Sequence, residues 1–351
     1  MIDCGSSQRK NSLAPTATAP PAALMRMGDA MIVYQAACAA ACLGLADLLE
    51  SSPRTTEELA SQLAVNEPAL YRTMRLLASE GIFRETARRI FTNTDLSYFL
   101  RSGVPGSLRS LLVFRSSEVF YAPFGEMLFS IQTGKPAREK LLGMNIFEYL
   151  KQRPEIARVF DDAMTNLSRL IAPEVARAYD FGACDSVMDV GGGNGLLLSA
   201  ILTAHPGLRG VLADLPHVVE RARKSGFLDG ELQTRSQLRD CDMFREVPSG
   251  CQAYVMKSVI HDWDDERARQ ILVNCRRAVS DDGVLLLVEL ALAGSNLPCP
   301  GKVTDIAMMV LTGGMERTVD EYRALLAGAR FRVDRVAPIA GGFAIIESRP
   351  I

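Results

Sequence analysis

The stretch VMDVGGGNG, Val187 to Gly195, decides how the chain reads. Four mostly apolar residues, Val187 to Val190, run into five positions of which four are glycine. Leu196 to Ala204, LLLSAILTA, then has the composition of a helix. Strand, tight turn and helix in that order open a nucleotide-binding α/β unit. Glycine lacks a Cβ, so such a turn can adopt positive φ and let a ligand lie against the backbone.

A dinucleotide fingerprint has glycine at its first, third and sixth positions. Here Gly191, Gly193 and Gly195 give GxGxG, and the sixth position is Leu196. That argues against a nicotinamide-dependent dehydrogenase. With Asp189 just before the turn, the loop resembles the one that holds the amino-acid end of S-adenosylmethionine in methyltransferases. Asp214 ends the next strand, Arg209 to Ala213, about 20 residues on, where such folds place the carboxylate that binds ribose hydroxyls.

The remaining α/β signals follow in sequence. Asp242-Met243-Phe244 follows a third strand and Ala253 to Lys257 forms a fourth. Asp264 to Val279 is a helix with Ile271, Leu272, Cys275 and Val279 inward. Val284 to Leu290, VLLLVEL, is a fully buried strand. Thr318 and Glu321 make a capping box, and Arg332–Val336 with Phe343–Glu347 close the sheet.

Upstream, residues 1–24 read as a mobile tail rich in Ser, Ala, Thr and Pro. Arg26 to Leu49 reads as one long helix, apolar nearly all round, whose burial calls for a second subunit. Two short helices follow, from Thr56 and from Asn66 to Ser79. The second places Leu70, Met74 and Leu77 on one face and stops at Gly81. Residues 82–84 and 89–91 form a two-stranded wing. In a regulator the second helix would read DNA, but Arg72 and Arg75 alternate with Glu67 and Glu80 as on a solvated face. Residues 107–170 are mostly helical.

Composition sets bounds. The 351 residues are 48% hydrophobic and 23% charged with net charge −2, which disfavours a broad nucleic-acid surface. No apolar run is long enough for a bilayer and the first residues lack a signal-peptide core, so the cytoplasm is the expected location. Eight cysteines form no CxxC pair, and Cys38 and Cys42 read as buried thiols at helical spacing. No His/Cys cluster has zinc spacing, so no metal is expected.

Together these pieces resemble the plant-type small-molecule O-methyltransferases, the group of caffeate, flavonoid and hydroxyindole enzymes. The matching segments are DVGGGNG (189–195), DLPHV (214–218), DMF with VP (242–248), HDWDDE (261–266), VEL (288–290) and GGMERT (313–318). The stretches LGLADLLES and Phe147 to Lys151 are further similar to bacterial phenazine methyltransferases. The resemblance implies an α/β, Rossmann-like methyltransferase domain with an N-terminal winged-helix dimerisation domain. The divisions would be residues 25–115 for dimerisation and 116–351 for a helical substrate lid plus the catalytic domain. It implies a homodimer, with no nucleic-acid or membrane partner.

The resemblance also assigns roles. Asp189, Gly191 and Gly193 meet the methionine part of S-adenosyl-L-methionine, which leaves as S-adenosyl-L-homocysteine. Asp214 takes the ribose hydroxyls beside Leu215. Asp242 and Met243 frame the adenine, Trp263 packs on it, and Ser168 and Lys257 hold polar groups. His261 is the general base, with Glu289 and Glu316 as its partners. The expected acceptor pocket is Phe160, Met164, Met308, Met309 and Thr312, with Leu311 alongside and Asp262 able to bind substrate. Pliable methionines favour flat aromatic faces, so the acceptor is a small polycyclic aromatic hydroxyl compound, such as a phenazine. Departures from the family are Cys241 for Gly, Ala213 for an aromatic residue, and Leu311-Thr312 for Asn-Pro. Two other readings stay open: N-methylation on the same scaffold, and a small-molecule-responsive regulator with a non-catalytic methyltransferase-like domain.

Overall fold

A computed structural model describes residues 20–351. Of the expected tail, residues 1–19 lie outside the described residues, and Pro20 to Leu24 are helical. The described chain divides into two compact units between Leu96 and Ser97.

In the first unit, α1 (Pro20–Leu43) begins earlier than expected and stops at Gly44, whose φ is 66°. The left-handed conformation there ends the helix before α2 (Leu45–Leu48). Strand β1 (Arg54–Thr55) precedes α3 (Thr56–Leu63), where Thr55 and Glu58 form a capping box. Helix α4 (Glu67–Ser79) is capped by Asn66 and buries Leu70, Met74 and Leu77, the predicted face. The wing, β2 (Phe83–Ala87) and β3 (Ile90–Asn93), gains a third strand because β1 pairs with β3. Two residues are too few to carry an alternating pattern, so β1 was not legible in the sequence. Cys38 is buried as expected, whereas Cys42 is exposed in the single chain.

Helix α5 (Asp95–Tyr98) lies at the junction. The second unit opens with six helices: α6 (Arg109–Arg115), α7 (Glu118–Gly125), α8 (Met127–Thr133), α9 (Ala137–Leu142), α10 (Ile146–Gln152) and α11 (Pro154–Ala178). Helix α6 lies within this unit, upstream of the expected boundary at residue 115, and packs Leu111 and Phe114 against Ala163 of α11.

The α/β part follows: β4 (Ser186–Val190), α12 (Leu196–Ala204), β5 (Arg209–Asp214), α13 (Pro216–Ser225), β6 (Ser236–Asp240), β7 (Ala253–Lys257), α14 (Asp265–Ala278) and β8 (Val284–Leu290). Next come α15 (Pro300–Leu311), α16 (Val319–Gly328), β9 (Phe331–Pro338) and β10 (Phe343–Pro350). The seven strands are ordered β6-β5-β4-β7-β8-β10-β9. The first five are parallel, and β10 runs antiparallel to both its neighbours.

Apolar side chains cover both faces, as a parallel sheet requires. Met188, Tyr254, Met256, Leu285 and Leu287 pack toward α14 and α16. Val187, Val255, Leu286 and Val288 pack toward α11 and α12. Strand alternation puts Glu289 on the same face as Leu285 and Leu287. The chain reverses direction of winding between β4 and β7, and open α/β sheets bind ligands at that switch point, beyond the carboxyl ends of the strands.

One close approach fixes the loops there. A Cβ on Gly314 would sit 2.1 Å from the carbonyl oxygen of His261 and 2.6 Å from the nitrogen of Trp263. Backbone cannot yield as a side chain can. Gly314→Ala should therefore lose more than about 3 kcal/mol of stability in urea unfolding, beyond ordinary overpacking. Gly294→Ala, whose Cβ would find nothing nearer than Leu297 at 3.9 Å, should stay within about 1 kcal/mol. Equal losses would contradict this reading of the crossing.

Candidate active site

The crevice is built from two strand ends. Beyond β4, Gly191, Gly193 and Gly195 all have positive φ, at 71°, 60° and 89°. A Cβ on Gly191 would meet Val259 Cγ2 at 2.9 Å, so glycine lets the loop lie against the segment after β7. The Gly193 N–H donates to Asp214 Oδ2 at 2.9 Å, and the Leu215 N–H donates to Oδ1 at 2.7 Å. Burial pushes the Asp214 carboxyl up to about 6 against those two donors. A carboxylate accepts about four hydrogen bonds, so capacity for ligand hydroxyls remains. Asp189 is buried and its Oδ2 has no hydrogen-bond partner. Burial pushes it up to about 7, with the Lys257 charge working the other way.

The second strand end carries the titratable cluster. Ser258, directly after β7, has φ 53°, a strained value for a non-glycine residue. It leads into the short turn Ile260–Asp262. His261 Nδ1 lies 2.7 Å from Glu316 Oε1. Its Nε2 has Asp262 Oδ1 at 4.0 Å, beyond hydrogen-bonding range. Glu289 touches the ring through charge rather than a bond: its Oε1 accepts the N–H groups of Val259 at 3.1 Å and Ile260 at 2.9 Å. Burial by itself would depress the histidine. The Glu289 charge, the Glu316 hydrogen bond and the Asp262 charge outweigh it and push His261 up to about 10. Burial likewise raises Glu289 to about 7, opposed by His261 and the two backbone donors. For Lys257, burial lowers the pKa, and Glu289 and Asp189 offset part of that.

The facing atoms of His261, Glu289 and Glu316 all lie within 4.8 Å, a spacing a cation could also use. His261 Nδ1 pairs with Glu316 Oε1 and Glu289 Oε1 takes two backbone N–H groups, whereas Glu289 Oε2 and Glu316 Oε2 are buried with no hydrogen-bond partner among the described residues.

Two residues outside the sequence expectations hold the cluster. Arg317 is fully buried; it donates to Asp265 Oδ1 at 2.8 and 2.9 Å and to the carbonyls of Trp263 and Ile260. Asp305 accepts the Glu316 N–H at 3.0 Å. Arg317 stands inside the matched GGMERT segment, and that was its available signal.

The apolar wall joins four helices, α6, α7, α11 and α15. Phe160, Phe114, Phe120 and Phe124 form a chain of rings with centroids 5.3, 5.5 and 5.4 Å apart. Met164 packs with Phe160 and Phe120, and Met309 packs with Phe120, Phe124 and Leu311. Phe120, missing from the sequence expectations, is thus the hub. Met308 is half-buried, and its carbonyl accepts the Thr312 hydroxyl at 3.2 Å.

Other expected residues are less drawn in. Asp242 is exposed and caps the Phe244 N–H, while half-buried Met243 accepts from Asn274. Ser168 is half-buried on α11, with no hydrogen bond among the described residues. The half-buried Trp263 ring stacks on Phe147 at 5.5 Å, meets Phe244 edge-on at 4.6 Å and lies under Arg267.

Comparison with known proteins agrees with this architecture. Residues 25–102 match the O-methyltransferase dimerisation domain and residues 124–332 the O-methyltransferase domain. The phenazine O-methyltransferase PhzM of Lysobacter antibioticus is 42% identical over 93% of this chain and 96% of its own length. The crystal structure of LaPhzM superposes with a TM-score of 0.91 at 41% identity, covering 95% of this chain and 100% of that one. The O-methyltransferase NcsB1 of neocarzinostatin biosynthesis, solved with S-adenosylmethionine and 2-hydroxy-5-methyl naphthoic acid, gives 0.80 at 32% identity over 91% and 96% of the two chains. The chain belongs to the O-methyltransferase family, whose methyl donor is S-adenosylmethionine.

Proposed function

We propose that the protein methylates an acidic hydroxyl of a small polycyclic aromatic secondary metabolite, a phenolic or N-hydroxy group of a phenazine-like acceptor. The observation that carries this is the His261–Glu316–Glu289 cluster beside a wall of aromatic rings and methionines. Relatives support the acceptor class. Besides PhzM, a 2,7-dihydroxy-5-methyl-1-naphthoate 7-O-methyltransferase is 35% identical over 86% of this chain.

The donor's place is argued from the crevice. The orphaned Asp189 oxygen suits the ammonium of a methionine moiety, Gly191 and Gly193 leave room for its backbone, and Asp214 has capacity for ribose hydroxyls. Leu215, Asp242 and Met243 would border the adenosine, with Ser168 and Lys257 at its polar edge. Trp263 would hold that pocket's shape through Phe244 and Phe147 rather than stack on the purine. S-Adenosylmethionine, when bound, supplies an electrophilic methyl carbon.

The chain's own task is to orient the acceptor oxygen and manage one proton. Phe160, Met164, Met308, Met309 and Thr312 border the flat acceptor. His261 presents Nε2 to its hydroxyl, and Glu316 fixes the ring through Nδ1, the arrangement of a His–carboxylate pair. Because its neighbours raise His261 to about 10, it would rest as an imidazolium at pH 7. A neutral imidazole with a bound hydroxyl and an imidazolium with a bound oxyanion contain the same number of protons, so the pair titrates as a unit. The strongly basic histidine keeps the proton, and the acceptor oxygen is held as the anion that attacks. This favours acceptors acidic enough to ionise in water.

A second reading has its own support. The phenazine-1-carboxylate N-methyltransferase of Pseudomonas aeruginosa is 36% identical over 85% of this chain, and the 8-amino-8-demethylriboflavin N,N-dimethyltransferase of Streptomyces davaonensis is 34% identical over 89%. A ring nitrogen carries no proton to remove, so the buried His261 cluster favours an oxygen acceptor over that class; an exocyclic amine loses a proton on each methylation and is separated from a hydroxyl by locating the methyl group in the product.

The N-terminal unit would serve a homodimer. Leu24, Met25, Met27 and Ile32 of α1 are all more than half exposed in the single chain, an apolar patch of the kind that marks protein contacts.

Three measurements test these readings. His261→Gln should lower kcat by roughly 10²–10⁴-fold while leaving S-adenosylhomocysteine binding intact; near-normal turnover, read by mass spectrometry with location of the methyl group, would contradict the proton role. For hydroxyl acceptors of pKa near ~8 to 9, the acid limb of kcat/KM should follow the acceptor's pKa and the alkaline limb should fall near 10, where the imidazolium is lost. An acid limb fixed near ~6.5 for every acceptor would instead show an ordinary histidine. Size-exclusion chromatography with light scattering should give twice the chain mass at micromolar protein, and Met27→Glu with Ile32→Glu should shift it to the monomer; a monomeric native chain would overturn the dimer.

A further inference from the structure

Arg138 and Arg317 are the buried arginines among the described residues, and Arg138 differs from its counterpart. It is 3% exposed, and among the described residues none of its guanidinium nitrogens has a hydrogen-bond or ion-pair partner. Its Nε is buried and unsatisfied. The contrast is Arg317, just as buried, whose guanidinium bonds a carboxylate and three carbonyls. Burial lowers the Arg138 pKa to about 10, and the Asp262 charge returns only part of that.

Its position ties it to the acceptor side. Arg138 follows Ala137 at the start of α9, and Ala137 packs with Leu311, Met309, Phe120 and Phe124, the apolar wall described above. Pro136, just before, lies against Gly313 in the loop that carries Glu316. The charge acting on Arg138 is that of Asp262, next to His261. Arg138 thus sits on a helix whose preceding residue packs on the apolar wall, and its charge acts on the carboxylate next to His261.

An uncompensated buried cation costs several kcal/mol. Packing does not require an arginine: an unbranched apolar side chain fills similar space. What arginine alone adds is a planar fork of N–H donors matched to an oxyanion with two coplanar oxygens. We propose that Arg138 is a specificity-determining residue that receives a carboxylate borne by the aromatic acceptor, so that the preferred substrate is a hydroxylated aromatic acid. This rests on the methyltransferase reading and narrows it. The acid would dock on Arg138 with its rings along Phe120 and Phe160, leaving its hydroxyl for His261.

The test is calorimetric binding to protein saturated with S-adenosylhomocysteine, using 6-hydroxyphenazine-1-carboxylate and 1-hydroxyphenazine, with methyl transfer to each followed by mass spectrometry. Native protein should bind the acid about 10- to 100-fold tighter than the neutral compound, the range for a hydrogen bond to a charged group. Arg138→Met should abolish that preference and leave binding of the neutral compound unchanged. Arg138→Lys, keeping charge without the fork, should retain part of it. Thermal unfolding of unliganded Arg138→Met should occur at or above the native temperature, because an unpaired cation has been removed.

Native protein that binds and methylates the neutral compound as well as the acid overturns the proposal and leaves the methyltransferase reading standing. Arg138→Met that loses S-adenosylhomocysteine affinity, or unfolds at a lower temperature with the acid preference intact, shows a cofactor or structural role and also overturns it. Native protein that methylates neither compound, nor any other hydroxylated aromatic, removes the functional reading itself.

Discussion

The 2.7 Å contact between His261 Nδ1 and Glu316 Oε1 lies where charge is most costly. Glu316 and Glu289 are both buried, Glu289 at the end of a strand buried along its whole length. Two acids so placed need a cation or they lose their charge. A His261 imidazolium would be that cation, and two backbone N–H groups hold Glu289 in place beside it. The surrounding carboxylates raise the basicity of the histidine, and in the proposed function this is what draws a hydroxyl at its other nitrogen toward ionisation.

The surrounding architecture serves that contact. Strand alternation points Glu289 to the face of Leu285 and Leu287, and the strained Ser258 turns the chain so that His261 meets it. Glu316 comes from a separate loop, which reaches the turn because Gly314 has no side chain and Arg317 ties the loop to Asp265 and two carbonyls. The same switch point that sets β7 beside β4 puts the glycine turn against Val259. The glycine turn and the His261 cluster are thus neighbours by topology.

Much of this was legible in the residues, for identifiable reasons. Long periodic elements were read closely: α4 buries the predicted three residues, and β7 and β8 have the predicted ends. The glycine turn was legible because local spacing carries it, and its three glycines take positive φ. Features set by distant packing were not. Glu316 follows a loop glycine pair and reads as exposed, yet its side chain is fully buried. Glu289 was expected as a direct partner of the ring, and its bonds go to backbone N–H groups instead. The stacking of Phe147 on Trp263 joins residues far apart in sequence and was not legible there. Arg138, in TGKPAREK, has the sequence context of a surface helix, and only the fold reveals its burial.

The most direct measurement is the ionisation of His261 itself. The chain has three histidines, so nitrogen-15 NMR of histidine-labelled protein, with His261→Gln for assignment, resolves its ring across a pH titration. The account predicts that both ring nitrogens of His261 keep imidazolium shifts through neutral pH and change only as the pH nears 10. A neutral tautomer already present at pH 7.5 would contradict it, because the buried carboxylates would then lack the charge on which the site depends.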